Sequence, residues 1–255
     1  MRRIELATST DVPRRVESCK RSLEIIYNVK LEVVPATLRL DTLYPTEDFL
    51  ENSKLAMVLR AVVRNDYAVP IITAETRGCY FVLDGHHRAY VFKKLRRETI
   101  KANVLRFPEG SCYRNVPKRL LDDLPIKQIE TIDDPILKAW AGILTVMKHY
   151  EAMYDIPFYL EKEIVPLETL LPTQPQVLKS QINAIKTLLV PITCVRYEGE
   201  YYVLDGHARS LRAKELGLET IEAIVVCPHV RIDFGIIKTA KEMRLNSLKD
   251  VQIIE

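Results

Sequence analysis

The sequence has no long apolar run, and it carries little net charge. No stretch approaches the roughly 18 consecutive apolar residues that a membrane-spanning helix requires, which argues against an integral membrane protein. The first six residues, Met-Arg-Arg-Ile-Glu-Leu, lack the apolar core of a signal peptide, so we expect a cytoplasmic protein. The net charge of +3 is too small to indicate nucleic-acid binding from composition alone.

Cysteine is also scarce. The 5 cysteines of the 255-residue chain are widely spaced and form no C-x-x-C pair, so neither a zinc site nor a disulfide framework is indicated. Hydrophobic residues make up 47% of the chain and charged residues 28%, which excludes a disordered or low-complexity protein. The length suits one large domain or two small ones.

An internal repeat is the most informative feature that the sequence does contain. Residues 81–88 (Phe-Val-Leu-Asp-Gly-His-His-Arg) return at residues 202–209 as Tyr-Val-Leu-Asp-Gly-His-Ala-Arg, an offset of 121. At the same offset, Val-Pro-Ile at 69–71 matches 190–192, and Glu-Thr-Ile at 98–100 matches 219–221. Such an ordered series of matches is not expected by chance, so each copy is predicted to form one structural unit.

The offset changes upstream of this match. Residues 40–47 resemble residues 167–174 at an offset of 127, so the first copy contains six additional residues before Val69. We expect these residues to lengthen a helix over about 50–65. Downstream, residues 124–129 loosely resemble residues 248–253.

Apolar patterning predicts the same order of elements in both copies: a Leu-rich turn, a helix, two strands, an Asp-Gly-His loop, a helix and a strand. Helices are predicted after the loops, at 88–95 and 209–216, and outside the copies at about 12–27 and 135–154. The predicted strands cover residues 69–73, 79–83, 99–105, 190–195, 201–204 and 220–226.

The loop Asp84-Gly85-His86-His87-Arg88 combines residue types that suit a phosphate. Gly85 permits a sharp turn that brings backbone N–H groups close to a ligand, and the helix that follows favours an anion at its N-terminus. Arg88 offers a planar fork for phosphate oxygens, and His86 and His87 can donate hydrogen bonds. Asp84 could hold a magnesium ion through water or orient a histidine. The alternative is that Asp84 caps the helix and the histidines only pack.

These motifs resemble the ParB/sulfiredoxin superfamily. The shared pattern is Leu-x-x-Leu-x-Pro, then Pro-Ile, then Val-Leu-Asp-Gly-His-x-Arg, then a helix ending in Leu-Gly-x-x-x-Ile, over about 33–105 and 164–226. The resemblance implies an α/β (α+β) fold of two tandem ParB/sulfiredoxin-like units with additional linker and N-terminal helices. We expect a first repeat with its N-terminal helix at 1–108, a helical linker at 109–162 and a degenerate second repeat at 163–255.

The superfamily contains proteins of different functions, and the residues favour one branch. Sulfiredoxins carry a catalytic cysteine where this chain has His86 and His207, so sulfiredoxin activity is not expected. Free-serine kinases share Asp-Gly-His-His-Arg and have a catalytic glutamate at a place that Glu47 occupies here. This similarity implies a phosphotransferase that acts on a small hydroxyl-bearing metabolite. It would use ATP or ADP with Mg²⁺, or alternatively CTP, with Glu47 and His87 as catalytic residues.

The second copy lacks part of this set. It has Gln174 in place of Glu47 and Ala208 in place of His87, and glutamine cannot act as a base. We therefore expect a binding-only or structural role for this copy. Its degenerate site consists of Gln174, Asp205, Gly206, His207 and Arg209. No counterpart is found for the C-terminal threonine and histidine with which the kinases bind serine, so the resemblance does not extend to serine as the acceptor.

Two other interpretations stay open. The first is a ParB-like protein that binds DNA in a nucleotide-dependent way, or a nuclease, since residues 239–248 faintly resemble part of a helix-turn-helix and residues 93–97 are basic. The second is a catalytically silent nucleotide sensor or a structural protein, with Glu47 a solvated residue at a helix start. The expected partners are a nucleotide and a small molecule, with nucleic acid as the alternative and no membrane. The sequence does not predict the oligomeric state.

Overall fold

Two similar five-stranded sheets organise the chain. The structure, a computed structural model, describes residues 5–129 and 133–255, and the chain divides into two units, Met1–Ala141 and Gly142–Glu255. Each unit is built around a mixed sheet with helices packed on it, so the predicted α/β fold of two similar units is confirmed. Within these described ranges, no helix is long and apolar enough to cross a membrane.

The first unit contains a five-stranded sheet in the order β1-β6-β4-β5-β2 and a small parallel pair of β3 with β7. Neighbours in the large sheet are antiparallel except for β4 with β6 and β2 with β5. In chain order the elements are α1 (Val12–Tyr27), β1 (Glu32–Arg39), β2 (Leu43–Pro45), β3 (Leu50–Glu51), α2 (Asn52–Asn65), β4 (Ile71–Thr76), β5 (Cys79–Asp84), α3 (His86–Lys94), β6 (Thr99–Arg106) and β7 (Ile126–Lys127).

The second unit repeats this arrangement. Its sheet has the order β8-β13-β11-β12-β9, and β10 pairs with β14 in parallel. The chain enters this unit through α4, and the elements are α4 (Pro135–Tyr154), β8 (Phe158–Pro166), β9 (Leu170–Pro172), β10 (Gln176–Leu178), α5 (Lys179–Asn183), β11 (Ile192–Tyr197), β12 (Glu200–Asp205), α6 (His207–Glu215), β13 (Thr220–Pro228), α7 (Gly235–Glu242) and β14 (Gln252–Ile254).

The predicted elements agree with these bounds to within three residues. The two hairpins are closed by residues with positive φ, Arg77 and Gly78 in the first unit and Glu198 and Gly199 in the second. Two successive positive φ values characterise the type I′ turn, whose twist matches that of the flanking strands. Glycine at the second position therefore explains how the sequence forms both hairpins.

The repeat extends further towards the N-terminus than the sequence match indicated. Helices α1 and α4 are each followed by a left-handed residue, Asn28 and Asp155, both with φ of 52°. One turn earlier, Glu24 Oε1 accepts from the backbone N–H of Leu31 at 2.9 Å, and Glu151 Oε1 accepts from that of Phe158 at 3.1 Å. All these positions are 127 apart. Helix α4 therefore has the same place before the second sheet that α1 has before the first.

The downstream match is also 127 residues apart, and the predicted equivalence of 124–129 with 248–253 is wrong by three residues. Short 3-10 helices at Leu121–Asp123 and Leu248–Asp250 occupy equivalent places. Each is followed by the short strand that pairs with the chain before a helix, β7 or β14. The shared Leu-x-Asp pattern is short, and sequence similarity alone shifted its alignment.

The six additional residues of the first copy lie where we expected them. Helix α2 has 14 residues, whereas α5 has 5 and is followed by irregular chain up to β11. Strands β1 and β8 were not predicted from the sequence. Both are edge strands, and β1 has no clean alternation of buried and exposed residues, which removes the usual signal of a strand.

Helix α1 covers one face of the first sheet. Val16 and Leu23 of the helix form a buried cluster with Ile72 and Ala74 of β4 and with Leu105 of β6. Side chains alternate along a strand, so Ile71 points to the opposite face. There it lies beside Gly85, at the turn between β5 and α3.

Replacing Gly85 with alanine should destabilise the protein, and Gly206→Ala should do the same in the second unit. Gly85 has a φ of 103°, and a Cβ atom there would lie 2.5 Å from Ile71 Cγ2; Gly206 has a φ of 102° and a distance of 2.7 Å to Ile192 Cγ2. Strain and the clash should together cost about 2 to 4 kcal/mol in either unit, measured by urea unfolding.

The matched control is Gly78→Ala, where φ is 77° but no atom lies within 4 Å of the added Cβ. It should cost about 1 kcal/mol, from backbone strain alone. Equal losses at Gly78 and Gly85 would contradict the role of the close contact with Ile71.

Candidate functional site

The Asp-Gly-His-His-Arg loop joins β5 to the N-terminus of α3. Gly85 is the N-cap of this helix, and the first helical hydrogen bond runs from Ala89 N–H to Gly85 O at 2.9 Å. The N–H groups of the preceding turn have no acceptor within the helix, which is the arrangement that attracts anions. The structure therefore brings the predicted loop residues together at one helix end.

Arg88 is buried, and its guanidinium group is held inside the loop. Nη2 donates to Asp84 Oδ2 at 2.8 Å, and Nη1 donates to the carbonyl oxygens of Val69 and Pro70 at 3.0 Å each. In the second unit, Arg209 Nη2 donates to Asp205 Oδ2 at 2.7 Å. Phosphate binding by Arg88 stays a prediction, but both of its Nη groups already bind protein oxygens.

His86 is fully buried, and its Nε2 atom faces main-chain donors. The backbone N–H groups of Thr46 and Glu47 lie 3.0 and 3.3 Å from it. Its Nδ1 atom lies 3.3 Å from Glu47 Oε1, in ion-pair range, although the pair does not meet the geometric criteria of a hydrogen bond. In the second unit, His207 Nε2 accepts from the backbone N–H of Thr173 at 3.0 Å.

His87 is also buried and turned towards the same carboxylate. Its Nε2 accepts from the backbone N–H of Glu51 at 3.1 Å, and its Nδ1 lies 4.0 Å from Glu47 Oε2. Burial, reinforced by the positive charge of Lys54, lowers the pKa of His87 to about 4, against the opposing effect of Glu47. His87 is therefore neutral at physiological pH.

Glu47 is half-buried at the mouth of this arrangement. Burial raises the pKa of its carboxyl group, but the nearby His86 ring, followed by His87 and Lys54, lowers it by more. The net effect is a pKa below the usual value, so the carboxylate is ionised at neutral pH. An ionised carboxylate beside a helix N-terminus can accept a proton from a ligand.

A cavity of about 280 Å³ joins these groups. Besides the loop and Glu47, it is lined by Glu51 and Lys54 at the start of α2, by Tyr67, and by Arg15 of α1. Tyr67 donates a hydrogen bond from its hydroxyl group to Ala7 O at 2.7 Å, which fixes the segment before α1 against the cavity. The size suits a small metabolite or part of a nucleotide.

Magnesium does not fit Asp84 as a direct ligand, and the expected contact through water stays a prediction. Asp84 Oδ2 accepts from Arg88, and Oδ1 lies 3.4 Å from Arg15 Nη1, so both carboxylate oxygens face guanidinium groups. In the parts of the chain that the structure describes, no three His, Cys, Asp or Glu side chains are placed to hold a metal ion. Mg²⁺ stays a prediction that rests on the nucleotide, whose phosphates bind the ion.

The second unit keeps the loop but loses the other ionisable groups of the cavity. Asp205, Gly206, His207 and Arg209 match the first loop, and Thr173 matches Thr46. The remaining positions are equivalent by the offsets of 127 and 121. There the first unit has Arg15, Glu47, Glu51, Lys54, Tyr67 and His87, and the second has Gly142, Gln174, Leu178, Gln181, Leu188 and Ala208.

Four of these cavity residues, namely Arg15, Glu51, Lys54 and Tyr67, were not predicted from the sequence. A signal for Glu51 and Lys54 was present, because both replacements become visible when the offset of 127 is carried past Glu47 into α2. For Arg15 no such signal was apparent, since α1 and α4 share too few residues to be aligned without the structure.

The comparisons with known proteins leave the activity open. No model of a known protein family matches the chain. An uncharacterised protein of Methanocaldococcus jannaschii is 33% identical over 118 residues, which are 43% of this chain and 44% of that protein. The chain thus spans less than half the length of this relative.

Solved structures match parts of the chain. Sulfiredoxin from Arabidopsis thaliana is 22% identical with a TM-score of 0.24, over 28% of this chain and 83% of its own. A protein from Agrobacterium tumefaciens is 14% identical with a TM-score of 0.30, over 37% and 63%. A conserved hypothetical protein from Pyrococcus furiosus is 23% identical with a TM-score of 0.25, over 31% and 35%. At these identities and TM-scores the matches show neither the family nor the activity of the chain.

The buried neutral histidines predict a loss of stability in acid. The pKa values of His87 and His207 in the folded protein are both about 4, whereas an unfolded histidine titrates near 6.5. The unfolded state therefore binds more protons once the pH drops below about 6.5. The free energy of unfolding should be highest above this pH and fall down to about pH 4, by up to about 3 kcal/mol per histidine.

Urea unfolding between pH 4 and 8 measures this loss. The lowered pKa of Glu47 acts in the same direction, because its protonation also favours the unfolded state. His207→Gln should reduce the slope by removing one of the two histidine contributions. An unchanged slope in that variant would show that His207 does not titrate as described.

Proposed function

We propose that the first unit binds a nucleotide and transfers a phosphoryl group to a hydroxyl group of a small metabolite, with Glu47 as the general base. One observation carries the proposal. The ionised Glu47 carboxylate and the Asp84–Arg88 loop line one cavity, and the second unit has glutamine at the position of this glutamate.

The reaction requires a base near the attacking hydroxyl group. The hydroxyl oxygen forms a bond to the terminal phosphorus of the nucleotide while the bond between that phosphorus and the bridging oxygen breaks. The hydroxyl proton passes to a carboxylate oxygen of Glu47, and the shortened nucleotide leaves with the bridging oxygen. A half-buried carboxylate that stays ionised at neutral pH is suited to accept this proton.

The phosphates of the nucleotide would lie at the N-terminus of α3. Free N–H groups of the first turn favour negative charge there. Lys54 and Arg15 are the cations of the cavity that are not enclosed by the loop. ATP or ADP is the expected donor, with CTP as the alternative, and Mg²⁺ would arrive bound to the phosphates.

The similarity to free-serine kinases supports this branch of the superfamily over the others. The complete Asp-Gly-His-His-Arg sequence and Glu47 occur in the first unit alone. We assign the second unit a structural or binding role with a degenerate site. The acceptor is a small molecule with a hydroxyl group, and serine itself lacks the support of a matching C-terminal motif.

DNA binding is less well supported. Two lysines of the basic segment that suggested it, Lys93 and Lys94, form ion pairs with Asp122 at 2.9 and 3.1 Å. Lys94 is fully buried. These charges are therefore partly neutralised within the first unit rather than presented as a basic face.

Glu47→Gln should abolish phosphoryl transfer and leave nucleotide binding in place. The amide keeps the size of the side chain but cannot accept the proton, and a general base contributes about 10²- to 10⁴-fold to the rate. Transfer from labelled ATP or ADP to a panel of hydroxyl-bearing metabolites measures the rate, and calorimetry with the same nucleotides measures binding. Glu168→Gln, an exposed carboxylate of the second unit, is the control and should retain full activity.

An unchanged rate in Glu47→Gln would exclude this residue as the base. Absence of nucleotide binding, together with an affinity for DNA that falls steeply with salt, would overturn the proposed function in favour of the DNA-binding alternative.

A further inference from the structure

We propose that His86 and His87 are positioning residues that hold the Glu47 carboxylate through their Nδ1–H groups, rather than ligands of a phosphate. This inference concerns the same site as the proposed function and assigns the two histidines a role within it. Both rings are buried, and each is fixed between the main chain on one side and Glu47 on the other.

The main chain determines where each ring carries its proton. Nε2 of His86 faces the backbone N–H groups of Thr46 and Glu47, and Nε2 of His87 faces that of Glu51. A backbone N–H can only donate, so Nε2 must be the acceptor in each ring. A neutral imidazole has one N–H group, which is therefore at Nδ1 in both histidines.

Both Nδ1–H groups point to one carboxylate. His86 Nδ1 lies 3.3 Å from Glu47 Oε1, and His87 Nδ1 lies 4.0 Å from Glu47 Oε2. The two histidines thus lie near different oxygen atoms of the Glu47 carboxylate. Because His86 Nδ1 is buried and forms no hydrogen bond of good geometry, a small movement of Glu47 towards it would satisfy this donor.

Comparison with the second unit shows which contacts of the two histidines belong to the fold. His207 keeps the main-chain contact of its Nε2 with Thr173 N–H, although Gln174 stands where Glu47 would be. That contact therefore belongs to the fold of both units. The second histidine and the glutamate are both absent from the second unit, as expected if His87 serves Glu47.

Neutral rings are poor partners for phosphate charge but good partners for a carboxylate. Besides Glu47 and the neighbouring His86, the charged groups that act on His87 are Lys54 of α2 and Arg88 of α3. Because His87 stays neutral at physiological pH, it can orient Glu47 without competing with it for the proton that Glu47 takes from a substrate.

Three substitutions of His87 distinguish the roles of its two nitrogen atoms. Asn places an amide N–H near the position of Nδ1 but loses the acceptor that binds Glu51 N–H. Gln supplies an acceptor near Nε2 but loses the donor towards Glu47. Ala, the residue of the second unit, lacks both. The primary readout is the pKa of Glu47, followed by ¹³C NMR on carboxyl-labelled glutamate and assigned with Glu47→Gln.

We expect the Glu47 pKa to rise in His87→Ala and His87→Gln, because both lose the donor that favours the ionised form. It should stay near that of the parent protein in His87→Asn. The control is His207→Ala, which removes the equivalent buried ring from the second unit. It should lower the thermal midpoint without moving the Glu47 pKa. An unchanged pKa in His87→Ala, measured while the protein is folded, would overturn the proposal.

Activity gives a second readout. Loss of orientation should lower kcat about 10- to 100-fold in His87→Gln, with the nucleotide KM unchanged, whereas a phosphate ligand would raise KM instead. A raised KM at constant kcat would refute the positioning role. The NMR measurement needs no turnover, so a protein without transferase activity but with the expected pKa shift would reject the proposed function and retain this inference.

Discussion

The turn from strand to helix at Asp-Gly-His is the constraint on which both units depend. Glycine is required there because φ is positive and because the side chain of a β-branched neighbour, Ile71 or Ile192, leaves no room for a Cβ atom. The arginine three residues later forms an ion pair with the aspartate before the glycine. The first histidine binds the backbone N–H of the threonine that follows β2 or β9, namely Thr46 or Thr173. This network fixes the helix N-terminus, and every group of the candidate site is placed relative to it.

The duplication makes it possible to separate fold from function within one chain. Residues that occur in both units, such as Arg88 and Arg209, share the ion pair with the aspartate before the glycine, and the turn explains this pair. Residues of the first cavity that differ in the second, such as Glu47 and Lys54, are not needed to form the unit. A motif that looks entirely catalytic in the sequence thus consists of a structural part and a smaller part that is available for chemistry.

Much of the fold could be predicted from the sequence, because the repeat and the periodic helices are strong signals. The starts of α1 and α4 follow from the acidic residue and the proline found there, and the bounds of both helices were predicted correctly. The edge strands β1 and β8 could not be predicted, since their pairing depends on strands that are distant in the sequence rather than on a local pattern. Glu47 lies beside the loop, with its Oε1 atom 3.3 Å from His86 Nδ1. The hydrogen bonds from Arg88 to carbonyl oxygens and the position of Arg15 at the cavity are tertiary contacts without a local signature.

The difference in length between α2 and α5 limits how the two halves could be interconverted. Val58, in the second turn of α2, forms part of the cavity wall, whereas the equivalent stretch of the second unit lies beyond the end of α5. Transplanting the side chains of the first cavity onto the second unit would therefore leave them without one supporting wall. A variant with such a cavity in both units would require additional backbone residues in the second unit. Point substitutions can therefore remove the cavity groups from a unit but cannot restore them in the second unit.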